Sequence, residues 1–142
     1  FGRQVYLAEN LEQLRRILVL AGGKPLLFQR FIRETAGRDL RIYVVGGQAI
    51  ASMERVNHSG DFRANLEHGG VAQAYHPTTE EAALAVAACR VCQADFAGVD
   101  LLPSRDGPLV CEVNSNAHFL GLLQATGINP ADDIVRLLKE RP

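Results

Sequence analysis

The sequence predicts an α+β fold: a mostly antiparallel sheet with helices on one face. Three observations carry this. Two pairs of apolar runs are joined by short glycine turns, at Gly46-Gly47 and at Arg105-Asp106-Gly107, which is the pattern of hairpins and not of crossovers. The hairpins are grouped, without the strict strand–helix alternation of a parallel sheet. The helical segments carry their own start and stop residues, Asn10 with Gly22-Gly23 and Thr78 with Glu81.

Taken in order, Phe1–Leu7 reads as a short strand. Asn10 caps a helix with Leu11, Leu14, Ile17 and Leu18 on one stripe, ended by Gly22-Gly23. Pro25 opens a strand over Leu26–Ile32, and Arg33–Arg38 is a polar connection containing Gly37. Strands over Asp39–Val45 and Gln48–Val56 follow, with Gly46-Gly47 as a two-residue turn needing positive φ. Asn57–Gly70 is polar, Gly-rich and aperiodic, a loop of roughly 14 residues and long enough to serve a ligand. Val71–Tyr75 is a further strand, and Thr78 caps a largely buried helix from Thr79 to Ala94. After the second hairpin come a short helix over Leu120–Ala125 and a last one over Ala131–Glu140 behind Pro130.

The 142 residues suffice for one domain with a core, and 47% hydrophobic with 22% charged is ordinary for a soluble protein. A net charge of −1 gives no polyanion-binding or membrane-facing surface, so neither nucleic acid nor membrane is an expected partner. No apolar run approaches the ~20 residues of a membrane span, and no signal peptide is visible. The chain begins at Phe1 and reads as a piece of a longer one. Three cysteines are an odd number, which argues against a disulfide framework and for a reducing, cytoplasmic setting. Cys89 and Cys92 have CxxC spacing inside an alanine-rich helix and read as buried small hydrophobes.

The stretch from Ala97 to Asn114 carries the chemistry. With a three-residue loop, Ser104 faces Pro108, Asp100 faces Glu112, and Asn114 follows on the same face. The other face then holds Val99, Leu101, Leu109, Cys111 and Val113. Two carboxylates starting about 5 Å apart repel unless a cation lies between them. Asp, Glu and Asn together suit a hard ion such as Mg²⁺, which shares itself with substrate phosphates. A slip of one residue would part the acids, so pattern alone leaves open a solvent-facing hairpin with ordinary surface acids.

GRDLRIYVVGG (37–47), FRANLEHGG (62–70), AGVDLL (97–102) and GPLVCEVNSNAHF with GLLQATGIN (107–129) resemble the ATP-grasp superfamily. The branch is that of the RimK ribosomal-protein glutamate ligase and its lysine-biosynthesis relatives. The resemblance implies the C-terminal lobe of an ATP-grasp domain over 1–142, with the N-terminal lobe and glycine-rich phosphate loop upstream. Phe1-Gly2-Arg3 looks like the end of that loop. It implies Asp100, Glu112 and Asn114 as ligands of Mg²⁺, or Mn²⁺, holding the ATP phosphates. Gln29, Arg30, Phe31 and Ile32 would line the adenine through the backbone, with Leu102 as its apolar floor and Asp39 on the ribose hydroxyls. Arg63 and Asn65 would reach the γ-phosphate and acyl-phosphate, with Arg41 pointing toward the same cleft.

The implied activity is an ADP-forming carboxylate–amine ligation on an amino acid or peptide, in a cytoplasmic and sometimes homo-oligomeric enzyme. The alternative is a non-catalytic nucleotide-binding or protein-interaction module of the same fold. Two departures from the family pattern stand out: Gln29 where many members have Glu, and NAHF (116–119) where a Pro- and Gly-containing turn is usual. Lys24 takes no phosphate role. His58, His68 and His118 read as solvated loop residues, Glu54 and Arg55 as a solvent-facing strand edge, and Tyr6 and Tyr43 as core or half-core.

Overall fold

The computed structural model describes residues 4–64, 66 and 69–140. Phe1-Gly2-Arg3, Asn65 and His68 lie outside the described residues. The elements are α1 (Leu11–Ala21), a 3₁₀ turn (Arg33–Thr35), β1 (Arg38–Val45), β2 (Gln48–Asn57), β3 (Gly70–Ala74), α2 (Thr79–Val91), β4 (Phe96–Ser104), β5 (Gly107–Asn114), α3 (Leu120–Thr126) and α4 (Pro130–Glu140). The sheet order is β3-β2-β1-β4-β5, and every pairing is antiparallel.

Local chemistry sets most boundaries. The Asn10 side chain accepts from the Gln13 N–H at 2.9 Å, and Gly22 closes α1 in the left-handed region. Thr78 and Glu81 form a reciprocal capping box at the start of α2. Gly46 and Gly47, at φ 56 and 78, make the tight turn that sets Val45 opposite Gln48.

β1 is central, and its residues from Leu40 to Val45 are all buried. Its alternate side chains feed two separate cores. Leu40, Ile42 and Val44 join Ala97, Val99 and Leu101 under Ala85 and Cys89 of α2. Tyr43 joins Met53 and Leu122 of α3. A central strand that is buried on both sides needs cover on both. The helices therefore flank the sheet on two faces, correcting the one-face expectation.

The expected strands over Phe1–Leu7 and Leu26–Ile32 do not form among the described residues. A strand needs a partner ladder, and no described strand runs beside either segment. Leu27 and Phe28 are accordingly exposed. α2 stops at Val91, short of Ala94, and buries only the stripe Glu81, Ala85 and Cys89. Cys92, one step beyond the last packed turn, is exposed, unlike Cys89, and the three cysteines are free thiols. Tyr6, expected in or near the core, is exposed, because the 4–9 segment has no sheet to pack into. No helix of the described residues is long and apolar enough to cross a membrane.

Candidate functional site

The β4–β5 hairpin pairs Asp100 with Glu112 and Gly98 with Asn114, as expected. It reaches that register by another route. Ser104 faces Gly107 and not Pro108, so the turn is the two-residue Arg105-Asp106. Gly107 takes φ 105, and the Ser104 hydroxyl donates to the Gly107 carbonyl at 2.6 Å. The residue saved at the turn is returned by a bulge between Asp100 and Leu101 that leaves Cys111 without a ladder partner. Two corrections follow. Leu109 pairs with Leu102 and so shares the Asp100 face, and Cys111 is exposed, not core.

A second bulge, between Tyr43 and Val44, shifts the β1–β2 hairpin. Without it, Asp39 would face Glu54. With it, Asp39 faces Arg55. Asp39, Arg41, Arg55 and Asp100 thereby meet on one face. Arg41 is a two-pronged donor to Asp100, Nε to Oδ1 at 2.7 Å and Nη2 to Oδ2 at 2.8 Å. Arg55 forks onto Asp39, Nε to Oδ1 at 2.6 Å and Nη2 to Oδ2 at 2.7 Å. The same Nη2 also donates to Asp100 Oδ2 at 2.7 Å. Side-chain exposure is only 4% for Arg55, 7% for Asp100 and 10% for Arg41, so water screens these bonds little.

Two cations and two anions cancel, as buried charge requires. Burial pushes the Asp39 carboxyl above its usual range, against the pull of Arg55. Burial opposes the Arg55 charge, but Asp100 and Asp39 outweigh it and hold the guanidinium protonated more firmly. Glu54 and Arg55 are buried, which corrects the solvent-edge expectation: β3 covers β2, so that strand is not an edge. Glu54 lies on the α2 face, taking hydrogen bonds from Arg38 and from Gln73 Nε2, the latter at 2.5 Å.

Leu102, Glu112 and Asn114 share this face. Leu102 is half-buried, two residues beyond Asp100 on the same side. Glu112 is exposed opposite Asp100, and Asn114 Oδ1 accepts from the Asn116 N–H at 2.9 Å. Gln29 and Arg30 are exposed in an extended segment. Phe31 packs edge-on against Phe62 at 6.0 Å. The buried Ile32 has its carbonyl taken by the Thr35 N–H and hydroxyl, each at 3.1 Å.

Arg63 lies in the long loop, where Asp61 grips it (Nη2 to Oδ2, 2.6 Å) and Phe62 lies 5.7 Å beneath its guanidinium carbon. The loop base is tied to the start of β1: the Gly37 N–H donates to the Phe62 carbonyl at 2.8 Å, and Asn57 Nδ2 to the Arg63 carbonyl at 3.1 Å. Gly37 has φ 73, and a Cβ there would meet the Asp61 carbonyl at 2.9 Å. Arg63 thus sits beyond the Asp39 end of β1. An open cleft of about 380 Å³ adjoins it, lined by Tyr6, Gln13, Ile17 and Phe62 among others. His58 and His118 are exposed.

Tyr43, in the core as expected, donates its hydroxyl to the Ala117 carbonyl, and burial pushes its pKa to about 12. Gly98 makes this closure fit, since a Cβ there would lie 2.6 Å from the Ala117 Cβ.

Among the described residues no three His, Cys, Asp or Glu side chains cluster tightly enough to hold a metal ion. Asp100, Glu112 and Asn114 are nonetheless an all-oxygen set. Asp100 Oδ1 receives one hydrogen bond where Oδ2 receives two, so Oδ1 keeps an acceptor position. The donor chemistry therefore fits a hard divalent ion bound through that oxygen.

Sequence reasoning missed Arg55, Gly98 and Asp61. Arg55 was legible only with the bulge in hand, because the unbulged register puts it on the α2 face. Asp61, two residues before Arg63, was a readable signal as a local partner.

A sequence model of the RimK-like ATP-grasp domain matches residues 1–138. The chain is 44% identical over 141 residues to the probable alpha-L-glutamate ligase of Aliivibrio fischeri (strain MJ11), covering 98% of this chain and 47% of that protein. It is 39% identical over 141 residues to that of Syntrophotalea carbinolica, with the same coverage of 98% and 47%. The chain thus spans about half the length of these curated relatives. Among solved structures it is similar to the ATP-grasp ligase PsnB complexed with minimal precursor, Mg and ADP, with a TM-score of 0.65 and 21% identity, over 92% of this chain and 40% of that one. It is also similar to D-alanine–D-alanine ligase from Bacillus anthracis complexed with ATP, with a TM-score of 0.59 and 15% identity, over 92% and 49%. These likenesses show the fold, which is that of ATP-grasp ligases.

Proposed function

Since the chain belongs to the RimK-like ATP-grasp family, we propose that it is the C-terminal portion of an ATP-grasp domain in an ADP-forming carboxylate–amine ligase. The observation that supports this best is the single sheet face on which Asp100 opposes Glu112 beside Arg41, Arg55 and Asp39. A face with acids for a cation and fixed guanidiniums beside them suits the handling of phosphate charge.

In this reading Asp100, Glu112 and Asn114 hold Mg²⁺, with Mn²⁺ as a substitute. The ion, when bound, neutralises charge on the transferring phosphoryl group as a carboxylate becomes an acyl-phosphate. Asp39 accepts from the ribose hydroxyls. Gln29, Arg30, Phe31 and Ile32 present backbone to the adenine edge, and Leu102 lies under the ring. The Ile32 carbonyl already accepts from Thr35, so the part of Ile32 in this pairing falls to its N–H. Arg63 and Asn65 reach the γ-phosphate, and Arg41 supplies fixed positive charge from the sheet. The attacking amine belongs to an amino acid or peptide, and the three free thiols suit a cytoplasmic protein.

The test is Mg²⁺-dependent ADP release by the full-length protein across a panel of amino acids and peptides. Stimulation by one acid or amine, lost in both Asp100→Asn and Glu112→Gln, supports the ligase. Background release across the panel, with Mg·ATP still bound, favours a non-catalytic nucleotide-binding module.

A further inference from the structure

Arg55 has a position that the proposed roles do not use. It is the most enclosed charge of the four, and it is shared: one guanidinium satisfies both oxygens of Asp39 and also Asp100 Oδ2. Resting on the nucleotide-binding reading above, we propose that Arg55 is a positioning residue. It locks the ribose-side Asp39 to the metal-side Asp100, and it keeps bare Mg²⁺ off Asp100 until nucleotide phosphates accompany the ion.

The argument is one of charge and of lone pairs. Asp100 accepts three charge-assisted hydrogen bonds from two guanidiniums, one of them shared with Asp39, so the four charges already balance without a metal. A divalent cation arriving alone meets one open acceptor position on Oδ1 and two neighbouring positive groups in a poorly screened pocket. Phosphates arriving with the cation supply the missing negative charge and are themselves attracted to Arg41 and Arg55. Arg55 also ties β2 to both carboxylates, so moving Asp39 moves the anchor of Asp100. A merely structural role is a weak account of this arrangement, because buried ion networks contribute little stability over well-packed apolar side chains.

The proposal makes a prediction of opposite signs. In the full-length protein, titration calorimetry follows MgCl₂ alone and then ADP in saturating Mg²⁺. In Arg55→Gln, Mg²⁺ alone binds roughly tenfold more tightly and Mg·ADP roughly tenfold more weakly, an ordinary size for coupling between sites. Arg55→Lys keeps the charge but loses the fork, so Mg²⁺ alone binds as in the wild type while Mg·ADP weakens. Should the Gln variant not fold by circular dichroism, the Lys variant decides the matter. Parallel weakening of both ligands, or no change in either, overturns the proposal. Failure of the wild type to bind Mg·ADP removes the underlying reading and the proposal with it, an outcome distinct from a wild type that binds and a variant that shows no split.

Discussion

Gly98→Ala tests how tightly the strand beside the candidate site is closed. The new Cβ would lie 2.6 Å from the Ala117 Cβ and 3.4 Å from Tyr43 Cε2. Carbon atoms prefer about 3.5–4.0 Å, so Ala117 must retreat by roughly 1 Å. Overpacking of this kind costs about 1–3 kcal/mol. The retreat also pulls the Ala117 carbonyl from the Tyr43 hydroxyl, and a buried group left without its partner costs about 1–3 kcal/mol more. A total near 2–6 kcal/mol is expected. Equilibrium urea unfolding of the full-length protein, followed by circular dichroism, would then show a midpoint about 1–3 M lower. Adding Ala117→Gly to Gly98→Ala removes the atom that is struck, and should recover more than half of the loss. A Gly98→Ala protein within about 0.5 kcal/mol of wild type refutes the reasoning, as does strict additivity of the two changes.

Three further outcomes follow from the same geometry. Thr78→Ala removes the side-chain half of the α2 capping box and should cost about 1 kcal/mol in the same urea assay; an unchanged midpoint would show that Glu81 alone caps the helix. For Glu54, burial opposes the charge, but hydrogen bonds from Arg38 and Gln73 and the Arg38 charge hold its pKa below the ordinary 4.5. Its contribution is therefore full above about pH 4.5 and is lost as pH falls through the lowered folded value. The stability gap between wild type and Glu54→Gln should shrink below pH 4.5, and a gap independent of pH would contradict the pairing. Gly121→Ala puts a Cβ 2.5 Å from Leu66 Cδ1, the far end of a flexible side chain. Helix propensity offsets part of that cost, so stability should hold while tryptic cleavage after Arg63 accelerates; an unchanged cleavage rate would mean that Leu66 does not anchor the loop.

The helices were legible because their caps are local chemistry: Asn10, Thr78 and Glu81 act on backbone groups within one turn. The β1–β2 and β4–β5 pairings were legible because glycine turns announce hairpins; the β1–β4 pairing, which joins strands far apart in sequence, was not. What stayed hidden depends on partners. Leu26–Ile32 has a strand's composition, yet no described strand lies beside it, and composition cannot supply a ladder. Arg55 reads as a solvent-facing strand end because nothing local announces β3 beside it or the bulge that turns it toward Asp39. Asp100 was placed opposite Glu112 although the turn was assigned one residue too long, since the bulge at Cys111 offset that error. The pairing was thus reached partly through compensating mistakes. Asp61 beside Arg63 shows the opposite case, a partner two residues away that required no tertiary knowledge.

The Cys111 bulge has a consequence for how this hairpin can change its length. It divides the hairpin into a base, where Asp100 meets Glu112, and a tip running from Leu101–Val110 to Ser104–Gly107, each with its own register. One residue added at Arg105-Asp106 could be absorbed by flattening the bulge, leaving the base untouched. One residue added between Glu112 and Val113 lies within the base, beyond the bulge, and has no such outlet. A single insertion at the tip is therefore insulated from the acidic pair, and the spare residue works as slack in the chain.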